Sequence, residues 1–265
     1  VSIRLHRGTV PLLVSIPHLG TDIPEPLKPA YVARALAVED TDWHLDRLYD
    51  FAPGLGASVL TPTVSRYVID LNRPPDDTPM YPGASNTELC PTRFFTGDPL
   101  YREGEAPGPQ QREARRQAHW QPYQDALQGE IARLRAAHGY VLLWDAHSIR
   151  SRIPWLFEGE LPDLNIGTAG GASADEAITR AVAQAAGRAP GVSHVVNGRF
   201  KGGWITRHYG RPGEHVHAVQ LEMVQKLYMR EAPPWDWDAR GADAIRPVLR
   251  DMLEAALAAA RRLHA

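Results

Sequence analysis

Apolar positions along the chain fall into short blocks, and the blocks alternate between the two periods that regular structure allows. Residues 10–16 form a nearly continuous apolar run closed by Pro17, the pattern of a buried strand whose carboxyl end delivers His18 into a loop. Further strands are predicted at 58–60, at 67–71 before the stop at Pro74 and Pro75, at 140–144, at 194–196 and at 216–221. Between them, 41–51, 110–137, 174–186 and 239–263 carry helical patterning. In the second of these Leu127, Ile131 and Leu134 recur at helical spacing, Pro122 marks a break, and Gly139 marks the end. Residues 78–109 scatter prolines and glycines among polar residues without a period, over a length well beyond the ~12–15 residues at which loops become functional or disordered, and are expected to form a lid or rim. Strands alternating with helices place the chain in the α/β class, with one sheet covered by helices on both faces. No linker or repeat divides residues 1–265, so one domain is expected.

Composition narrows the function classes. At 265 residues, 43% hydrophobic and 23% charged, the chain can bury a full core, and disorder or collagen-like repeats are excluded. A formal net charge of -2 gives no general attraction for nucleic acid or an acidic membrane, and neither is expected as a partner. The lone Cys90 cannot form an internal disulfide, and the apolar run near residue 10 is too short and too interrupted for a membrane span or signal peptide. These features are those of a cytoplasmic enzyme.

Three polar clusters, PHLG, WDAHS and QLEM, follow predicted strands directly, which is where α/β sheets gather their ligands. His18 and His147 can each present a neutral imidazole to a borderline-soft divalent ion such as zinc. An oxygen ligand can come from the acidic run Glu39, Asp40, Asp42. Asp42 is favoured because Trp43 can anchor its turn in the core, although either Asp40 or Asp42 could instead cap the following helix. His215 and His217, alternating about Val216, are the strongest rival metal set. Glu222 closes VHAVQLE, where burial would raise its pKa and suit it to act as a general base; the alternative is a structural ion pair with an arginine. Arg66, Asn72 and Arg73 in SRYVIDLNR offer guanidinium forks and an amide to an anionic substrate or a developing oxyanion. Lys201 and Arg207 add cationic groups in the Gly-rich KGGWITRHYG, a segment expected to be mobile whose glycines lack the pattern of a phosphate loop.

Taken in order, SIPHLG, DTDWHLDRLYD, SRYVIDLNRPPDD, LWDAHS, FKGGWITRHYG and HAVQLEMVQKLYM cover nearly the whole chain and resemble the N-formylglutamate amidohydrolase family, itself similar to zinc carboxypeptidases and aspartoacylases. The resemblance implies a mixed, twisted sheet between helices and zinc-dependent hydrolysis of N-formyl-L-glutamate to formate and L-glutamate, a step of histidine degradation. On that pattern His18 and His147 match the histidine ligands, Asn72 and Arg73 a carboxylate clamp, and Glu222 the catalytic glutamate, with Arg66 facing the oxyanion and Arg207 as a further carboxylate contact. The superfamily takes its acidic ligand three residues past the first histidine, where this chain has Thr21; Asp42 is favoured in its place, and the neighbouring Asp22 is the other candidate. Other readings of the same residues are a deacylase or carboxypeptidase for another N-acyl amino acid or small peptide, and a non-catalytic dicarboxylate-binding module.

Overall fold

The computed structural model describes residues 3–80 and 87–265. Three strands form the centre of a sheet: β2 (Leu12–Ser15), β4 (Val141–Ile149) and β7 (Val216–Val224) run parallel, and every residue in them is buried. Such strands read as apolar runs because both faces of the sheet are covered. On one side β3 (Ser58–Pro62) pairs parallel to β2 and carries β1 (Ile3–His6) antiparallel at the edge. On the other, β5 (Leu164–Gly167) runs antiparallel to β7, with β6 (His194–Val196) beyond it, giving a mixed seven-stranded order β1-β3-β2-β4-β7-β5-β6. This is the α/β architecture expected from the alternating pattern.

The twofold alternation of strand side chains separates two cores. Leu12, Val14, Leu142, Trp144, Val219 and Leu221 face one layer, which holds α1 (Leu45–Leu48), α4 (Glu176–Gly187) and α6 (Ala239–Leu263). Leu13, Val141, Leu143, Val216 and Ala218 face the other, covered by α3 (Gln121–His138) through Tyr123, Leu127 and Leu134 and by Ile205 of α5 (Trp204–Tyr209). Because the period is two, Ser15, Asp145, His147, Gln220 and Glu222 project on this second face, farther along the same strands. The register sets Asp145 beside Ser15 and Gln220, and His147 beside Glu222. The first half of each central strand therefore builds core and the second half builds a polar site.

Several local expectations change. β4 runs on to Ile149 and β7 to Val224, so Asp145, His147 and Glu222 lie within strands rather than past them. Residues 67–71 are buried but form no strand: the chain turns, Val68 N bonds Ser65 O, and Asp70 N bonds Leu89 O. An apolar run reports burial, and here turn and loop hydrogen bonds replace a ladder. Helix 41–51 shrinks to the single turn of α1, preceded by His44 in the left-handed region at φ 61°. The 110–137 helix divides into α2 (Pro109–Arg115), a wider π turn at Arg116–Trp120, and α3, which starts at Pro122's turn and ends on Gly139 at φ 82°. KGGWITRHYG contains α5 where mobility was expected. Within the predicted rim 78–109, residues 81–86 lie outside the described residues; Leu89, Phe94, Leu100 and Tyr101 of the remainder are buried and tie it to the second core. The four-residue strands β1 and β5 were too short to show a period.

Trp144 has no exposure and donates its indole N–H to Tyr49 Oη at 3.1 Å, joining α1's layer to β4. Trp144→Ala is expected to cost about 3–5 kcal/mol through lost burial and a residual cavity, read as a lower urea midpoint at unchanged m; a loss under about 1 kcal/mol would show that this layer repacks freely.

Candidate active site

Three buried side chains from distant parts of the chain meet at the carboxyl end of the central strands. Pro17 ends the strand run and turns His18 inward; the His18 carbonyl accepts the Asp42 N–H at 3.1 Å, which brings the TDW turn against it. His147 projects from β4. Asp42 Oδ2 then lies 3.2 Å from His147 Nδ1 and 3.6 Å from His18 Nδ1, and the two Nδ1 atoms are 3.1 Å apart.

The outer nitrogens decide what these inner atoms are. His18 Nε2 faces Asp70 Oδ1 at 2.7 Å and His147 Nε2 faces Asp145 Oδ1 at 3.2 Å. For His18 the short contact to Asp70 assigns the ring proton to Nε2 and leaves the Nδ1 lone pair inward, whereas His147 has a carboxylate 3.2 Å from each ring nitrogen, Asp42 at Nδ1 and Asp145 at Nε2, and the Asn72 amide nitrogen 3.0 Å from Nε2. Two imidazole Nδ1 atoms and a carboxylate thus converge, and Asp42 Oδ1 is buried with no hydrogen-bond partner among the described residues, Arg66 Nη1 standing 3.5 Å away. Such an arrangement calls for positive charge at the centre. Burial opposes the charge on Asp42, but His147 and His18 hold it well below the usual carboxylate range; burial likewise opposes charge on His147, while Asp145, Asp42 and Glu222 raise its pKa well above the usual imidazole value. A proton on an imidazole supplies that charge in one way and a divalent ion in another. His18, Asp42 and His147 present one ligand atom each, all within 4.8 Å of one another, and this N, O, N set suits zinc.

Around this centre stand the groups that could meet a substrate. Glu222 is buried on β7 beside His147; burial pushes its pKa up to about 8, with His147 opposing and Asp42 adding to the rise. Arg66 is buried, donates to Asp70 Oδ2 at 3.0 Å, lies 3.5 Å from Asp42 Oδ1, and packs its guanidinium 4.7 Å from the Phe95 ring centroid. Asp70 also faces Arg73 Nη2 at 3.8 Å; burial works against its charge, but Arg73, His18 and Arg66 hold its pKa well below the usual range. Arg73 itself is half-buried, donating Nε to Thr87 O at 3.0 Å and Nη1 to Asn72 O at 2.9 Å. These residues enclose a small cavity of about 80 Å³, whose lining includes His18, His147, Glu222, Arg66, Arg73 and Arg199.

The structure brings Asp42 rather than Asp22 to the histidines. Asp22 is exposed, in a separate open groove of about 620 Å³ with Glu25 and Lys28. Asp40 is occupied by Arg150 at 2.6 Å and by the Tyr67 hydroxyl, which donates to it at 2.7 Å. Asn72 reaches the site, but its amide is committed: Oδ1 accepts the Ile205 N–H at 2.8 Å, and Nδ2 lies 3.0 Å from His147 Nε2 and donates to Asp145 Oδ2 at 3.3 Å. Gly203 lets it approach, because a Cβ there would stand 2.4 Å from Asn72 Nδ2. Arg207 does not join the lining. It is exposed on α5 and donates Nε to Gly202 O at 2.8 Å, because the helix formed in this segment carries position 207 outward. The rival histidines lie at the other end of β7, His215 exposed at φ 61° and His217 Nε2 2.8 Å from His264 Nε2. Sequence reasoning missed Asp70, Gln220 and Arg199 as site residues. The period of two could have found Gln220 beside Glu222, whereas nothing local marks Arg199.

Known proteins resemble the chain over nearly its whole length. Residues 10–229 match the family model described as N-formylglutamate amidohydrolase. The chain is 53% identical over 259 residues to the N-formylglutamate deformylase of Pseudomonas aeruginosa, spanning 98% of this chain and 97% of that protein. It is 49% identical over 256 residues to the N-formylglutamate deformylase of Pseudomonas putida, spanning 97% and 96%. Among solved structures, the N-formylglutamate amidohydrolase of Ralstonia eutropha JMP134 shares the fold at a TM-score of 0.81 and 24% identity, covering 99% of this chain and 98% of that one. A gene product of Agrobacterium tumefaciens does so at 0.72 and 19%, covering 97% and 94%. By the extent of the model match and by its identity to full-length relatives, the chain belongs to the N-formylglutamate amidohydrolase family.

Proposed function

We propose that the protein hydrolyses N-formyl-L-glutamate to formate and L-glutamate, with His18, Asp42 and His147 holding a zinc ion. The observation that carries this reading is the convergence of one ligand atom each from His18, Asp42 and His147 beside a buried glutamate and a wall of guanidinium groups. Two full-length relatives bear the name of this activity. When bound, zinc supplies a Lewis acid that makes water nucleophilic near neutral pH.

The chain's own residues carry the rest. Glu222 takes a proton from the attacking water as the oxygen bonds to the formamide carbon, and returns it to the amine nitrogen as the C–N bond breaks. Its place on β7 beside His147, buried and among the residues that line the cavity, puts it within the site where both transfers would occur. Arg66, fixed by Asp70 and Asp42, faces the oxygen on which negative charge develops. Arg73 holds the α-carboxylate of the small anionic substrate, oriented by the Thr87 oxygens and the Asn72 carbonyl. Asp70 holds the His18 ring through its Nε2, and Asp145 with the Asn72 amide orients the ring of His147.

Formate release from N-formyl-L-glutamate should vanish on chelation and return with zinc. Zinc-loaded protein that releases none would end the substrate assignment. Glu222→Gln should lower kcat by about 10²–10⁴-fold with little change in KM, and a loss under tenfold would remove Glu222 from proton transfer. The metal-free protein offers a check independent of activity. Because Glu222 titrates higher folded than unfolded, its ionisation opposes folding above the usual glutamate range, and the penalty is complete above about pH 8. Metal-free Glu222→Gln should therefore exceed metal-free wild type in thermal midpoint at pH 8.5, with the advantage fading as pH falls toward 4.5; a pH-independent difference would contradict the raised pKa. Arg73→Ala should raise KM more for N-formyl-L-glutamate than for a neutral formyl amide, and equal increases would deny it the carboxylate.

A further inference from the structure

An N-acyl glutamate carries two carboxylates, and the cavity has three guanidinium groups on its lining, Arg66, Arg73 and Arg199. Their surroundings differ. Arg66 is buried and faces both Asp70 and Asp42, so its charge belongs to the centre itself. Arg73 follows Asn72 directly and lies 3.8 Å from Asp70, close to the centre, where the carboxylate next to the scissile bond must sit. Arg199 enters from a different wall, the segment between β6 and α5. Its Nη2 donates to Leu156 O at 3.2 Å, and its guanidinium carbon lies 5.5 Å from the Phe200 ring centroid. Leu156 and Phe200 line the cavity as well, and both pack on a small apolar cluster that includes Phe95 and Ile149. This wall thus pairs an apolar surface with a cation, as the side chain of glutamate pairs methylene groups with a terminal carboxylate.

We infer that Arg199 receives the side-chain carboxylate of the substrate and makes the site select N-acyl amino acids with an acidic side chain. The inference rests on the hydrolysis proposed above and adds the source of its specificity. Arg199 is assigned to binding, with no part in proton transfer, so its loss acts through KM and only on substrates that carry the second charge.

Zinc-loaded wild type, Arg199→Gln, Arg199→Lys and Arg73→Gln would be compared on N-formyl-L-glutamate and N-formyl-L-glutamine, which differ only in the side-chain charge. Arg199→Gln should lose about 100-fold in kcat/KM on the glutamate compound, as expected for a charge-assisted fork, and less than about threefold on the glutamine compound. Arg73→Gln should weaken both alike, since both keep the α-carboxylate. Arg199→Lys keeps the charge without the fork and should fall between wild type and Arg199→Gln on the glutamate compound alone, which tests the assignment even if Arg199→Gln fails to fold. Equal losses on the two substrates, or an undiminished preference for glutamate in either Arg199 variant, would overturn the assignment while leaving hydrolysis standing. Wild type that cleaves neither compound would overturn the hydrolysis reading and this assignment with it.

Discussion

Three carboxylates, those of Asp42, Asp70 and Asp145, are buried on one face of one sheet, and the arrangement of the site follows from the need to keep them charged there. Moving an anion out of water is costly unless hydrogen bonds and counter-charges replace the lost hydration. Asp70 meets this need with Arg66, Arg73 and the His18 ring, and Asp145 with the His147 ring, the Asn72 amide and the Thr206 hydroxyl. With those two at the outer nitrogens, the inner nitrogens face Asp42. A cation between them would add to the balance at Asp42 Oδ1, which Arg66 Nη1 approaches at 3.5 Å without a hydrogen bond.

The sheet supplies the rigidity this needs. β4 and β7 pair over nine residues each, and the Asp145–Gln220 and His147–Glu222 steps are consecutive same-face rungs of that ladder. Side chains placed on central strands are held more closely than those on loops, which suits a base that must stand at a fixed distance from a reacting carbon. α5 locks the arrangement from above: Gly203 N donates to Gln220 Oε1 at 2.6 Å, and Ile205 N donates to Asn72 Oδ1 at 2.8 Å. One short helix thereby links β7, which carries Glu222, to the segment that carries Arg73.

Much of this was legible in the sequence because burial and chemistry are adjacent along the same strands. The apolar runs at 10–16 and 140–144 identified the central strands, and the polar residues following them, His18 and His147, identified the centre. The sequence already favoured Asp42 over Asp22, and the structure supplies the reason it could not state: the TDW turn folds back so that Asp42 N donates to the His18 carbonyl, a contact with no local signature. The false strand at 67–71 has a similar origin: burial leaves an apolar run in sequence whether the backbone bonds a neighbouring strand or, as at Asp70, the carbonyl of a loop residue. Arg207 and Arg199 show the same limit from the other side. Both are arginines flanking one Gly-rich segment, and only the helical turn of α5 decides which of them lines the cavity.

The histidine pair at the centre spans 129 residues of sequence, and Glu222 is added only by β7, the last strand of the sheet. No fragment ending before that strand contains Glu222, and no local unfolding of β2, β4 or the TDW turn leaves His18, Asp42 and His147 together. Ligand binding stabilises only those states in which the site is formed. A cation held by His18, Asp42 and His147 would therefore act as a cross-link closing a very long loop, and its binding energy would be spread over the whole sheet instead of one segment. In a cell short of that ion, the folded state would lose this stabilisation at the same moment as the site lost its cation, so the lifetime of the protein would follow metal supply.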